Sequence, residues 1–292
     1  MINNKTTKIV LLGNGHAAFE SFERIMKRFN VCGVIIPYED IVIEKLCKDN
    51  NIEYSYDIND LDNFRPEVCL MISYGNIIPN KFIEKYKFLN VHYGLLPKYR
   101  GMHTVAWAII NGEKEVGYTI HEVDDMIDNG DILDQCKIEI QKTEDRNIIM
   151  NKLDMLLRDN ICEFIDKYLN NKLEGKKQDI SKATFFGKRN IDDCKINWND
   201  STENILNFIR ALVPPYPGAF TNYRGNKIII ISAEEFNKEN YKEIPGHIVY
   251  YKKSEGVIVK TQDTTIIIKN IIVNGKIIRS DEYIKNVGGR FF

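Results

Sequence analysis

The sequence predicts an α/β protein in which a mostly parallel sheet, flanked by helices, is followed by a smaller β-rich domain. Two observations carry this. The first half alternates short apolar runs with amphipathic stretches, the signature of β-α-β units. The last third alternates β-rich runs with turns at Gly, Asn and Lys and shows little helical patterning. At 292 residues the chain can hold one large domain or two moderate ones.

Taken in order, KIVLLG (8–13) and VCGVII (31–36) read as buried strands. Between them, HAAFESFERIMKRF places Phe19, Phe22, Ile25, Met26 and Phe29 at helical spacing. EVCLMIS (67–73) is a further strand, a helix follows from Pro79, and FLNVH (88–92) is the next strand. Tyr118 to Val123 reads as another, and a long amphipathic helix runs from about Glu144 to Leu173. Strands alternating with helices imply a Rossmann-like sheet that binds ligands at the carboxyl ends of its strands. The stretch LEGKKQDISKATFFGKR is polar, basic and weakly patterned, which sets the division: a catalytic domain over 1–180, a linker over 181–200 and a β-rich domain over 201–292. The last opens with a helix whose Ser-Thr pair is a capping signal and whose end is a double proline, since proline cannot continue a helix. KIIIIS, GHIVYY, GVIVKT and TTIIIKNIIV then suggest a small barrel or sandwich.

Composition excludes several classes of function. Lys and Arg total 40 against 41 Asp and Glu, a net charge of −1, so no global basic field recommends nucleic acid as partner. The N-terminal MINNKTTKIVLLG is too polar for a secretory signal, and no apolar stretch approaches the roughly 20 residues of a membrane span. A cytoplasmic protein without membrane partners is expected. The six cysteines are scattered with no C-x-x-C pair, which favours reduced, packed thiols over zinc or disulfides.

The chemistry concentrates in two segments. Residues two apart on a strand face the same way, so Asn90 and His92 would meet one site at the carboxyl edge of the sheet. The loop with Pro97 and Gly101 would carry Arg100 over it. In GYTIHEVDDMIDNGDIL, the residues Asp124, Asp125, Asp128 and Asp131 crowd a short loop, and their repulsion would raise pKa values wherever a member is buried. Calcium is the competing reading, but the loop lacks the D-x-D-x-D-G order and closing Glu of an EF-hand, so no metal is expected.

NVHYGLLPKYRG followed by NGEKEVGYTIHEVDDMIDNGDIL resembles the hydroxymethyl- and formyltransferase family, whose members take a formyl group from 10-formyltetrahydrofolate. The shared signature is Asn-x-His on a strand, an SLLP-type loop, Arg-Gly and a later Asp-x-Gly loop. The resemblance implies a catalytic trio of Asn90, His92 and Asp128. It implies folate contacts at Asn76, Ile77 and Ile78, in ISYGNIIP, and at Asp124, Asp125, Met126 and Ile127 on the other edge. INWNDSTENILNFIRALVPPYPGAFTNYRGNKI is similar to the two-domain branch, in which a small barrel of OB type follows the transferase domain. Gly94 is a departure, because the family often has Ser there.

Branches of this family differ in the amine they formylate. Methionyl-tRNA formyltransferases should carry a charged insertion near the second strand, whereas VCGVIIPYEDIVIEKLCKDNNIEYSY leaves no room for one and mixes its charges. A tRNA would need several cationic contacts to phosphates. The expected acceptor is therefore a nucleotide-linked amino sugar, as in the N-formyltransferases of bacterial surface polysaccharides, with methionyl-tRNA as the alternative. Candidate acceptor contacts are Gly13 and Gly15, where a helix N-terminus could meet a diphosphate, Arg100 for phosphate, and Tyr216 or Tyr223 for stacking on a base. Each aromatic has core packing as its competing reading, and Gly13 and Gly15 have tight strand-to-helix packing. A binding module without turnover is disfavoured by the intact trio, and a formylfolate hydrolase by the absence of a preceding regulatory domain. A homodimer is compatible with this reading.

Overall fold

The computed structural model describes residues 6–236 and 241–292; the first five residues of the polar N-terminal segment lie outside them. The chain forms two compact units. One comprises residues 1–104, 115–139 and 150–186; the other comprises 105–114, 140–149 and 187–292.

The first unit is built on β1 (Ile9–Gly13), α1 (Gly15–Arg28), β2 (Val31–Ile35), α2 (Ile41–Asp49), β3 (Tyr54–Ser55), α3 (Leu61–Phe64), β4 (Val68–Ile72), α4 (Asn80–Ile83) and β5 (Lys87–His92). Then come the two-residue β6 (Arg100–Gly101), β7 (Glu115–Glu122), β8 (Ile132–Glu139), α6 (Arg146–Leu169), whose first residues lie in the second unit, and β9 (Phe185–Phe186); α5 (Thr104–Ile110), between β6 and β7, belongs to the second unit from Val105 on. The seven-stranded sheet has the order β3-β2-β1-β4-β5-β7-β8. Its first five strands are parallel, while β7 runs antiparallel to β5 and β8 antiparallel to β7. The Rossmann-like, mostly parallel sheet is thus present, with two antiparallel strands added at one edge.

Alternation along the strands sorts the core into two faces. Leu11, Leu70, Leu89, Val91, Tyr118 and Ile120 pack with α1 and with Leu157, Ile161 and Phe164 of α6. Leu12, Met71 and Phe88 pack on the opposite face with Phe64 and Phe82. Helices therefore cover both faces, as the β-α-β pattern requires.

Three boundaries differ from expectation. The strand expected at Tyr118 to Val123 is β7, which begins three residues earlier, where Glu115 pairs with Glu139. Its partner β8 went unread because its alternating, half-exposed sequence ILDQCKIE lacks a continuous apolar run. The long helix spans Arg146–Leu169. Asp145 Oδ1 accepts from the Ile148 N–H at its start, and left-handed Asn171 (φ 53°) turns the chain beyond its end.

The second unit continues with α7 (Thr202–Ala211), β10 (Ala219–Tyr223), β11 (Asn226–Glu235), β12 (Ile248–Lys252), β13 (Gly256–Lys260), β14 (Thr265–Val273), β15 (Lys276–Arg279) and α8 (Ser280–Tyr283). Ser201 caps α7 by accepting the Asn204 N–H, as the Ser-Thr signal predicts. All strands pair antiparallel in the order β10-β11-β14-β13-β12, with β15 also on β14. Residues 288–292 close the sheet on itself. Phe291 N–H donates to Gly246 O and Ile248 N–H to Gly289 O on the β12 side, while Asn222 of β10 and Phe292 exchange two backbone bonds. Within this unit Arg189 lies over the Trp107 ring at 4.0 Å and Arg210 donates to the carbonyls of Gln141 and Glu144, which ties segments 105–114 and 140–149 to α7 and its neighbours.

Candidate active site

Strand parity decides which side chains meet. Phe88, Asn90 and His92 share one face of β5, and Leu89 and Val91 share the other. The β5–β7 register sets His121 directly opposite Asn90 and Thr119 opposite His92. Asn90, His92, Thr119 and His121 therefore form a polar patch at the carboxyl end of β5, and the loop after β7 folds over it.

Hydrogen bonding fixes both imidazoles. His92 Nε2 lies 2.6 Å from Tyr99 O, and a carbonyl oxygen only accepts, so Nε2 carries the proton. His121 Nδ1 lies 2.6 Å from Glu122 O and is protonated for the same reason. The other nitrogens, His92 Nδ1 and His121 Nε2, stand 3.5 and 3.6 Å from the two carboxylate oxygens of Asp128. Asn90 Nδ2 lies 3.1 Å from His121 Nε2 and donates to it. Among the described residues no group of three His, Cys, Asp or Glu side chains is placed to hold a metal ion.

The electrostatics follow from burial. Burial dominates at His92, outweighs the opposing Asp128 charge and lowers the imidazole pKa. At neutral pH His92 is thus a neutral ring with a lone pair on Nδ1. The expectation of raised pKa values in the aspartate loop fails at Asp128. There burial, the largest single influence, pushes upward, but His121, His92 and the Gly101 N–H at 2.8 Å together hold the carboxyl below its ordinary value. The contacts that decide are histidines and an amide, and no neighbouring aspartate is among them; Asp124 accepts from Met126 N–H and Asn129 Nδ2 instead.

Asp128 itself is left-handed, with φ 50°. Around it, Arg100 donates to Asn129 Oδ1 and Gln178 Oε1, and Gln178 Nε2 donates to the carbonyls of Asp128 and Gly130. Residues 184–186 secure the facing loop. Thr184 accepts from the Tyr99 and Arg100 N–H groups, β9 pairs with β6, and the Tyr99 ring stacks on Phe186 at 4.8 Å. On the remaining side, Thr119 Oγ1 donates to Gly94 O and accepts from the Leu96 N–H.

The remaining sequence-derived residues divide by location. Asn76, Ile77, Asp125, Met126 and Ile127 are exposed, with Ile77 87 % and Ile127 63 % accessible, and Ile78 is buried beneath them. Exposed aliphatic side chains in loops beside a polar site are available to a flat apolar ligand. Arg100 is buried, and its guanidinium is committed to the loop, which gives it an internal partner in place of a phosphate. Gly13 is demanded by packing, since a Cβ there would stand 1.9 Å from Ile72 O. The Gly15 N–H already donates to Asp40 Oδ2 at 2.8 Å, so a carboxylate occupies the place considered for a diphosphate. In the second unit, Tyr223 is buried edge-on to Phe291, and Tyr216 lies under the Arg146 guanidinium at 4.3 Å.

His121, Gln178 and the Tyr99 carbonyl were not singled out in the sequence. The Thr119-His121 spacing was a usable signal for His121, but placing it opposite Asn90 needs the β5–β7 register.

Comparison with known proteins converges on one family. A formyl transferase model matches residues 36–162, and a model of the formyl transferase C-terminal domain matches 190–288. The chain is 30% identical over 301 residues to methionyl-tRNA formyltransferase of Clostridium tetani, covering 95% of this chain and 96% of that one. Among solved structures, the N-formyltransferase from Helicobacter canadensis with folinic acid and dTDP-3-aminofucose superposes with a TM-score of 0.71 at 24% identity, covering 90% of this chain and 99% of that one. HypX from Aquifex aeolicus, in complex with tetrahydrofolic acid, gives a TM-score of 0.67 at 19% identity over 94% of this chain. The chain spans about half of HypX, 46% of its length.

Proposed function

Because the chain belongs to the formyl transferase family, we propose that it moves a formyl group from 10-formyltetrahydrofolate to the amine of a nucleotide-linked amino sugar. The observation that carries the transfer chemistry is the convergence of Asn90, His92 and Asp128, with the unprotonated nitrogen of His92 turned toward the carboxylate.

Attack of the amine nitrogen on the formyl carbon opens the C=O bond to an oxyanion and leaves a proton on the new ammonium. Asn90 donates one N–H to His121, which orients the amide, and its second N–H donates to the oxyanion. A donor of this kind contributes typically about 10²–10³ in rate. The ammonium proton passes to His92 Nδ1, where the Asp128 carboxylate at 3.5 Å stabilises the imidazolium. Collapse of the tetrahedral intermediate breaks the bond between carbon and N10, and N10 takes the proton from His92 Nδ1 as it leaves, which returns the imidazole to its neutral form. The Gly101 N–H at 2.8 Å favours the ionised form of Asp128, whose pKa lies below its ordinary value, so it stabilises the cation without being protonated by bulk water at neutral pH. The exposed Ile77, Met126 and Ile127 would receive the apolar face of the pterin, with Asn76, Ile78, Asp124 and Asp125 framing it. Binding of folinic acid and tetrahydrofolic acid by the two structural neighbours supports this donor.

The acceptor rests on one observation. The connection from β2 to α2 is residues 36–40, and it carries Glu39 and Asp40 rather than a basic insertion. Such a short, acidic connection suits a small acceptor better than a polyanionic tRNA. The dTDP-3-aminofucose bound by the Helicobacter canadensis enzyme is of the proposed class. Methionyl-tRNA is the second reading, favoured by the name of the full-length relative from Clostridium tetani. Incubating the protein with 10-formyltetrahydrofolate and either a panel of nucleotide amino sugars or initiator methionyl-tRNA, with mass spectrometry for the formyl adduct, decides between them. Formylation of tRNA without any sugar product overturns the amino-sugar reading and leaves the transferase chemistry in place.

A further inference from the structure

We infer that Gln178 is a positioning residue for formyl transfer: its one amide sets the backbone of the 124–130 loop so that the Asp128 carboxylate faces His92 and His121. The inference rests on the reading of Asp128 as the partner of His92 in the transfer step.

Gln178 follows α6, 50 residues beyond Asp128 in sequence, and its amide is half-buried. The orientation of that amide is chemically unambiguous. Oε1 accepts from Arg100 Nη2 at 2.7 Å, and a guanidinium only donates. Nε2 donates to Asp128 O at 2.9 Å and Gly130 O at 2.8 Å, and carbonyls only accept. The two bonds bracket Asn129, whose side chain joins the same network by accepting from Arg100 Nη1 at 3.0 Å and donating to Asp124 Oδ2 at 2.6 Å.

The bracket has a specific backbone to hold. A non-glycine residue in the left-handed region is disfavoured unless its surroundings over-determine it, and Asp128 has φ 50°. That conformation sends the Asp128 carbonyl toward Gln178 and the side chain toward Gly101 N–H and the two imidazoles. Without a donor at position 178, two carbonyls lose their partner, the loop relaxes, and the carboxylate leaves the histidines.

Gln178→Glu separates the possible roles, because glutamate keeps an acceptor for Arg100 and removes both donors; Gln178→Ala removes everything. Both variants, the parent and Asp128→Asn are compared in two measurements. One is formyl transfer from 10-formyltetrahydrofolate to dTDP-linked amino sugars and to initiator methionyl-tRNA. The other is the titration of His92 followed by imidazole ¹⁵N shifts, which needs no acceptor. Each Gln178 variant is expected to lose about 10- to 100-fold in kcat, the scale of a displacement of about 1 Å in a reacting group, with little change in KM for the donor. The His92 midpoint should move down toward that of Asp128→Asn, because the carboxylate that favours its protonated form has moved away. Parental kcat in Gln178→Glu overturns the inference, as does a loss of kcat with the His92 midpoint unmoved. Parental turnover in Asp128→Asn instead removes the premise about Asp128, and the inference falls with it. An inactive Asp128→Asn beside an active Gln178→Glu refutes the role of Gln178 alone.

Discussion

Replacing Gly94 by Ser, the residue the family often carries there, is expected to lower activity rather than raise it. A Cβ built on Gly94 stands 2.6 Å from His92 Nε2, 2.7 Å from Tyr99 O and 2.9 Å from His92 Cδ2. Favourable contacts of such atoms lie at about 3.5–4.0 Å, so the overlap approaches ~1 Å and involves a backbone oxygen that β6–β9 pairing holds in place. The bond that gives way is the 2.6 Å contact between His92 Nε2 and Tyr99 O, which fixes the tautomer and leaves Nδ1 as the base. Leaving a buried donor without its acceptor costs about 1–3 kcal/mol. If that loss falls on the reactive orientation of His92, kcat drops roughly 5- to 150-fold. Initial rates of formyl transfer for the parent, Gly94→Ser and Gly94→Ala test this, with thermal melts to show that the variants fold. Alanine and serine should behave alike, since the Cβ does the damage. A Gly94→Ser variant as fast as the parent, or faster, refutes the argument.

Single His92→Ala and Asp128→Ala variants should each lose about 10²–10⁴ in kcat, and the double variant should be little worse than either, because the two groups act on one transition state; near-normal turnover of Asp128→Ala contradicts the assignment. The acid limb of the pH–rate profile should have its midpoint below the ordinary histidine value of about 6.5, since burial lowers the His92 pKa and the neutral ring is the base. In Asp128→Asn that acid limb should shift to lower pH, and an unmoved limb with a scaled rate means Asp128 orients without electrostatic effect. Stability should carry the same sign. His92 and Asp128 both have folded-state pKa values below the unfolded ones, so the unfolded chain binds more protons: the His92 share of stability, full above about pH 6.5, is lost as pH falls through its folded value, and the Asp128 share, full above about pH 3.9, is lost only below that. Melting temperatures of the parent and His92→Asn should converge as pH falls below about 6.5, and parallel curves contradict it.

Much of the site was legible because it depends on strand parity. Asn90 and His92 share a face by their spacing alone, and the apolar runs at 9–13, 31–35 and 68–72 placed that face in a parallel sheet. What sequence could not supply was register and return. His121 meets Asn90 only through the antiparallel β5–β7 pairing, and Gln178 meets Arg100 only after the chain has gone through β7, β8 and α6. Electrostatic reasoning misjudged the aspartate loop for a related reason. Charge density along the chain suggested mutual repulsion, whereas Asp128 is governed by two imidazoles and an amide brought in from elsewhere.

The two-residue ladder between β6 and β9 has a consequence for how this enzyme comes into being. A nascent chain that has emerged as far as β8 already carries Asn90, His92, His121 and Asp128 on adjacent strands and loops. It does not yet carry Gln178, nor the Thr184 to Phe186 segment that clamps Tyr99, Arg100 and Gly101. Closing contacts 78 residues apart, as between Arg100 and Gln178, is slow relative to local pairing because the loop entropy must be lost first. The sheet should therefore acquire protected amides before the site exists, and the Gly101 amide, sealed by Asp128 Oδ2, should be among the last in this unit to resist exchange with deuterium.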